Sequence, residues 1–156
     1  MDYAITKAIA SIRTSLGIKI AKIISHSAIL LSTTIAISLL QKNKKKRPFP
    51  ALAVIISFIL SELLKIIIKR PRPVFATTKT ITYSMPSSHA TVAFALVPFA
   101  FKINKKAGIS ILITAILISF SRMYQGFHYL SDVLAGALLG TAISFLILKL
   151  TKEKQK

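Results

Sequence analysis

The chain has 156 residues, of which 53% are hydrophobic, and carries 22 Lys and Arg residues against four Asp and Glu residues, for a formal net charge of +18. Its length fits one domain, but the hydrophobic fraction is too high for an ordinary soluble one. Since the chain lacks cysteine, disulfides and thiolate chemistry are excluded. Apolar runs of about 20 residues indicate a membrane protein. Charges that flank such runs explain the basic excess better than a nucleic-acid-binding face, so we expect no nucleic-acid partner.

The first 16 residues differ from the rest of the chain. They place apolar residues at helical spacing and carry the charges of Asp2, Lys7 and Arg13. This pattern predicts an amphipathic helix that lies at the membrane interface, and Arg13 argues against a full span. The segment lacks the compact apolar core of a cleavable signal peptide, so we expect it to be retained.

Five apolar segments follow in chain order, and each is predicted to be a transmembrane helix. They are residues 18–40, 49–68, 89–101, 107–121 and 131–148. The predicted fold is therefore an all-α, polytopic transmembrane helix bundle that forms a single domain with residues 18–148 as its core. Gly136 and Gly140 in the last segment suit close helix contact, either inside the bundle or in a homodimer.

Basic residues cluster on alternate connections. The turn at 41–47, the turn at 102–106 and the tail at 149–156 together hold 12 of the 22 Lys and Arg residues. The positive-inside rule places these segments in the cytoplasm of a cell-membrane protein. Recognition of anionic lipid headgroups by the 41–47 turn is an alternative that requires the same leaflet. The loop at 69–88 and the turn at 122–130 then lie on the extracytoplasmic side.

Three motifs fall on that outer side although they are far apart in sequence. They are Lys65-x6-Arg72-Pro73, Pro86-Ser87-Ser88-His89 and Ser121-Arg122-x5-His128-x3-Asp132. In order, spacing and membrane placement they resemble the K-x6-R-P, P-S-G-H and S-R-x5-H-x3-D motifs of the type 2 phosphatidic acid phosphatase family. The resemblance covers residues 65–132. Its one departure is Ser88, where the family usually has glycine.

The same residue types suit phosphate chemistry without reference to the family. Lys65, Arg72 and Arg122 supply three cations for the oxygens of a phosphate group, and the planar fork of arginine meets two oxygens at once. Ser87 and Ser88 begin a predicted helix, so their N–H groups and the helix dipole favour an anion, with the Ser87 hydroxyl beside it. These five residues are the predicted phosphate-binding set.

The two histidines and the aspartate complete the predicted site. His128 and Asp132 are four residues apart, so on one helix face Asp132 would hold one imidazole nitrogen protonated and leave the other to attack phosphorus. His89 is then the general acid for the leaving oxygen and later the base for water. The resemblance implies the same three roles. We predict no metal and no cofactor, because three nearby cations repel a divalent ion.

Several charged residues permit other interpretations. Lys65, Arg72 and Arg122 lie at predicted helix ends, where basic side chains often only anchor a helix at the interface. Glu62 is either a functional carboxylate or a structural partner of Lys65 or Lys69. Lys69, Arg70 and Lys79 occupy no motif position and are interpreted as surface charges.

The resemblance implies an integral membrane phosphatase that hydrolyses a lipid mono- or diphosphate through a phosphohistidine. The candidate substrates are undecaprenyl diphosphate, lipid A 1-phosphate, phosphatidylglycerophosphate and phosphatidic acid. Helix length favours a lipid, since the 13 residues from His89 to Lys102 span about 20 Å, which places His89 beneath the outer edge of a core roughly 30 Å thick. A lipid phosphotransferase and a non-catalytic lipid-binding or lipid-transporting protein are the alternatives.

Overall fold

The structure is a computed structural model that describes residues 2–78 and 81–153. These ranges contain seven α-helices, a 3-10 turn at Lys44–Lys46 and no strand. The helices are α1 (Asp2–Ser11), α2 (Ser15–Ile24), α3 (Ser27–Leu39), α4 (Pro48–Ile68), α5 (Ser88–Ile103), α6 (Lys105–Tyr124) and α7 (Leu130–Glu153). Lys79, Lys154 and Lys156, which entered the charge predictions, lie outside the described residues.

The prediction of an all-α transmembrane bundle is confirmed. Four segments of the described chain are long and apolar enough to cross a membrane, whereas α5, with 16 residues, is shorter. The four segments are Ser15–Leu39, Lys44–Ile68, Lys105–Tyr124 and Leu130–Thr151. Their lipid-facing surface is apolar, as Ile67 and Leu138 show with exposed fractions of 73% and 74%. The count of five spans stays a prediction.

The first predicted span is not one continuous helix. It divides into α2 and α3 at Ser25 and His26. The side chain of Ser25 donates to the carbonyl of Ala21, and the side-chain amide of Gln125, which directly follows α6, donates to the Ser25 hydroxyl at 2.9 Å. Side-chain bonds of this kind compete with the helical backbone pattern. The break therefore follows from a contact between elements about 100 residues apart, which hydropathy cannot reveal.

Helix α5 is the centre of the bundle. It packs against α4, α6 and α7, and most of its residues are buried. Gly136 and Gly140 of α7 face α5 so closely that a Cβ at Gly136 would lie 2.7 Å from the carbonyl oxygen of Ser87, and one at Gly140 would overlap the carbonyl of Thr91. Of the two alternatives for these glycines, the structure uses the contact inside the bundle.

Helix α1 packs against α6 and α7 and buries Thr6 completely. The predicted helix at 1–16 is thus present as α1 and the first residues of α2. Its location in the membrane interface stays a prediction.

Candidate active site

The three motifs meet at one cavity of about 450 Å³. The two histidines and the three motif cations all line it, and Ser88 lies beside them. Helix α4 supplies Lys65, the start of α5 supplies Ser88 and His89, and the end of α6 supplies Arg122. Arg72 and His128 come from the loops after α4 and α6. Asp132 and Ser87 are outside the lining set.

The rest of the cavity wall is largely apolar and belongs to α3 and α4. On α4 the lining runs from Lys65 back to Ala51, which is 14 residues or about 21 Å of helix. The cavity is therefore a cationic chamber at one end and an apolar groove along most of a membrane span. Its apolar lining residues are Leu30, Leu31, Ala51, Val54, Ile55, Phe58 and Val92.

His128 is nearly fully buried, and both of its ring nitrogens have contacts. Nδ1 lies 2.7 Å from the carbonyl oxygen of Ser84, and since a carbonyl only accepts, Nδ1 carries the proton. Nε2 is left with its lone pair and lies 3.3 Å from the guanidinium of Arg72. Burial, together with the positive charges of Arg72 and Arg122, lowers the pKa of His128 to about 4, although Asp132 acts in the opposite direction.

Asp132 lies close to His128, but its strongest contacts are with other groups. Its carboxylate is 3.6 Å from Nδ1 of His128, whereas Arg70 donates to it at 2.6 Å and the backbone N–H of Tyr129 donates to it at 2.9 Å. The short hydrogen bond that we expected from Asp132 to the imidazole is instead made by the Ser84 carbonyl. Asp132 therefore interacts with the imidazole through its charge, at ion-pair distance.

Arg70 is not a free surface charge, contrary to the sequence-based interpretation. Its guanidinium bridges Asp132 and Asp2, each at 2.6 Å, and lies over the ring of Tyr129 at 4.2 Å. Asp2 also accepts from the backbone N–H of Ser131 at 3.1 Å. The N-terminal helix is thereby joined to the start of α7, directly behind His128.

Each of the two motif arginines is held by neutral groups. Arg72 donates to the carbonyls of Thr82 and Phe127 at 2.9 and 2.8 Å, and burial lowers its pKa. Arg122 lies over the ring of Phe127, and the distance from its guanidinium carbon to the ring centroid is 4.4 Å. Neither arginine takes part in the ion pairs of the described residues, so both keep their attraction for an anion in the cavity.

Lys65 is held by a short network that explains the departure at Ser88. Its ammonium donates to Glu62 at 2.7 Å and to the Ser88 hydroxyl at 2.5 Å, and that hydroxyl donates to Glu62 at 2.6 Å. Of the two partners that we considered for Glu62, the structure thus selects Lys65. A lysine ammonium has three donors, so one is left for a ligand.

Ser87 does not take the position that we predicted. Its backbone N–H donates to the carbonyl of Asp132 at 2.9 Å, and its hydroxyl is buried without a hydrogen-bond partner among the described residues. The N–H that we expected to face an anion is therefore already used to join α5 to α7. Ser87 precedes the first residue of α5 and is not among the residues that line the cavity.

Three contributors to the site were missed by sequence reasoning: Asp2, Arg70 and the carbonyl of Ser84. Asp2 and Ser131 are 129 positions apart, and a backbone carbonyl carries no residue-type information at all. Arg70 gave a weak signal, since it lies two residues before Arg72 in the same loop.

Two known proteins are similar to this chain in sequence. Over an alignment of 100 positions the chain is 37% identical to undecaprenyl-diphosphatase of Sulfolobus acidocaldarius, and the alignment covers 59% of this chain and 48% of that protein. Over an alignment of 101 positions it is 36% identical to phosphatidylglycerophosphatase B of Bacillus subtilis, and that alignment covers 57% of this chain and 50% of that protein. The matched part of this chain therefore spans about half the length of these two relatives.

The solved structures include a transmembrane PAP2 type phosphatidylglycerolphosphate phosphatase from Bacillus subtilis that matches with a TM-score of 0.82 and 30% identity, over 99% of this chain and 86% of that one. With its long apolar helices, the chain is a multi-pass membrane protein. The family model described as PAP2 superfamily matches residues 49–156, a range that holds all three motifs. The chain thus belongs to the PAP2 superfamily.

Proposed function

We propose that this protein is a lipid phosphatase that forms a phosphohistidine on His128. The observation that carries the proposal is the unprotonated Nε2 of His128, which lies 3.3 Å from the Arg72 guanidinium, in a cavity that His128 lines together with Lys65, Arg72 and Arg122. Family membership and the names of the relatives support the same activity.

In the first step, Nε2 of His128 attacks phosphorus and the bond from phosphorus to the leaving oxygen breaks. The three cations stabilise the negative charge on the non-reacting oxygens. The imidazole becomes cationic as it is phosphorylated, and its Nδ1–H faces the Ser84 carbonyl with the Asp132 carboxylate nearby. Asp132 therefore stabilises a charge that appears only during the reaction.

His89 lines the cavity, and in its protonated form it is the group available to give a proton to the leaving oxygen in the first step. In the second step, the neutral His89 that results takes a proton from water, and the water oxygen attacks phosphorus in place of His128. The bond to Nε2 breaks, inorganic phosphate leaves, and both histidines return to their starting states.

The apolar groove supports a lipid rather than a soluble phosphate ester as the substrate. It continues from the cationic chamber along about 21 Å of α4, so a phosphate in the chamber leaves its apolar tail beside α3 and α4. A water-soluble ester would gain nothing from this groove. Polyprenyl diphosphates and glycerophospholipid phosphates both meet the requirement, and the relatives' names include one of each kind.

Replacement of the nucleophile tests the activity. We expect His128→Gln to lower phosphate release from undecaprenyl diphosphate, phosphatidylglycerophosphate and phosphatidic acid by roughly 10³-fold or more, because no phosphoenzyme forms. His26→Ala is the matched control, since His26 is the third histidine of the chain and is outside the cavity lining. Wild-type protein that is denatured during turnover at alkaline pH, where the N–P bond of phosphohistidine survives, should carry phosphate on His128, and release should persist in chelator. Equal release by His128→Gln and wild type would contradict the assignment.

The neutral state of His128 has a consequence for stability. A histidine with a folded pKa of about 4 and an ordinary value of 6.5 stabilises the fold above pH 6.5 and loses that contribution as the pH falls toward 4, because only the unfolded chain takes up the proton. Between pH 7.5 and 5 the wild type should lose about 2 kcal/mol more than His128→Gln. Thermal unfolding at both pH values measures the difference. Parallel losses in the two proteins would show that folded His128 is protonated normally.

Ser88 is expected to be a positioning residue for Lys65. Ser88→Gly restores the residue that the family usually has but removes one of the two groups that hold the ammonium, so we expect about a fivefold lower kcat/KM. In a Glu62→Gln background the same change should cost less, because the network is already broken. An undiminished kcat/KM in Ser88→Gly, or additive effects of the two changes, would refute this role.

We also propose that the cavity opens on the extracytoplasmic side, which rests on the positive-inside distribution of basic residues. The chain has no cysteine, so single cysteines report sidedness directly. Val74→Cys, in the loop after α4 and 88% exposed in the wild type, should react with an impermeant maleimide on intact cells. Lys44→Cys should react only after permeabilisation. The reverse pattern would invert the topology.

A further inference from the structure

A second cavity of about 770 Å³ lies at the opposite end of the bundle from the candidate active site. It is enclosed by the turn before α4, the end of α5 and the end of α7. Lys102 at its edge is 13 residues from His89 along α5, which is about 20 Å. The mechanism proposed above uses none of its residues.

The rim of this second cavity is strongly basic. It includes four lysines and, among the described residues that line it, no carboxylate. The ion pairs within the described part of the chain all lie at the other end, at Glu62, Asp2 and Asp132. The positive charge of the rim is therefore without a protein counter-ion among these pairs. The four lysines are Lys42, Lys46, Lys102 and Lys149.

The walls of the second cavity are apolar. Phe49 and Phe145 come from α4 and α7, and Phe101 comes from α5, where its side chain is 45% exposed. A ligand that fits must combine a negative head with an apolar body, because the lysines and the aromatic rings line the same cavity. A lipid of the surrounding leaflet has this shape and is already present at high concentration.

We infer that the second cavity binds an anionic phospholipid of the leaflet that contains the 41–47 turn, with the phosphate among the four lysines and an acyl chain against the phenylalanines. The topological role of basic residues requires only that charges lie near helix ends. It does not require them to surround a concave apolar surface. Lysine suits the head because its compact ammonium contacts phosphate oxygens from any direction, while its stem packs on apolar surface.

Two pairs of lysines in one turn provide a matched test. Lys42 and Lys46 line the cavity, whereas Lys44 and Lys45 do not. Purified full-length protein in a neutral detergent is titrated with dioleoylphosphatidylglycerol, and the thermal unfolding midpoint is followed. We expect a saturable rise for the wild type and for Lys44→Gln/Lys45→Gln. For Lys42→Gln/Lys46→Gln the half-saturating lipid concentration should rise about tenfold or more. Both variants lose the same charge, and neither touches the first cavity.

Control ligands separate the remaining outcomes. Dioleoylphosphatidylcholine, with the same chains and no net charge, should give a much smaller rise, and glycerol 3-phosphate should give none because it lacks the chains. If the two double variants bound dioleoylphosphatidylglycerol equally weakly, the lipid would be responding to general surface charge, and the inference would be overturned. Equal stabilisation by the two lipids, or a full response to glycerol 3-phosphate, would overturn it as well.

Discussion

The close approach of three cations is the constraint on which the candidate site depends. Lys65, Arg72 and Arg122 line one cavity, and Glu62 is the one carboxylate among the described residues that line it. Like charges at this spacing repel, and an apolar bundle screens them poorly. Each cation is therefore held by its own partners: a carboxylate and a hydroxyl for Lys65, carbonyls for Arg72 and a ring for Arg122. An anion in the centre would relieve the repulsion, so the chamber favours a negatively charged group.

The loop after α4 is shaped by this requirement. It contributes two backbone carbonyls at the cavity. The carbonyl of Thr82 accepts from Arg72, and the carbonyl of Ser84 accepts from Nδ1 of His128. A backbone carbonyl serves well here because it orients the proton on Nδ1 without adding a full negative charge to the cationic cavity. Asp132 is set one step further back, with Arg70 against it. Its negative charge is thus partly balanced by Arg70.

The helices and the motif residues that converge can be located from the sequence. The contacts that depend on long-range geometry cannot. Hydropathy is set by the membrane, so α4 to α7 follow from local composition. The break between α2 and α3 depends on Gln125, and the anchoring of Asp132 depends on Asp2 and Arg70. Ser87 was misplaced because a helix start was taken to face the ligand, whereas its N–H pairs with α7. None of these contacts leaves a periodic pattern.

The burial of α5 bears on how the protein meets membranes of different thickness. A helix of 16 residues is about 24 Å long, which would leave a lipid-facing span too short for a typical bilayer. Because α4, α6 and α7 surround α5, the lipid contacts those longer helices and hydrophobic mismatch is borne by them. The glycine contacts with α7 fix α5 against tilt. His89 therefore keeps its depth relative to the outer helices when the surrounding bilayer thickens or thins.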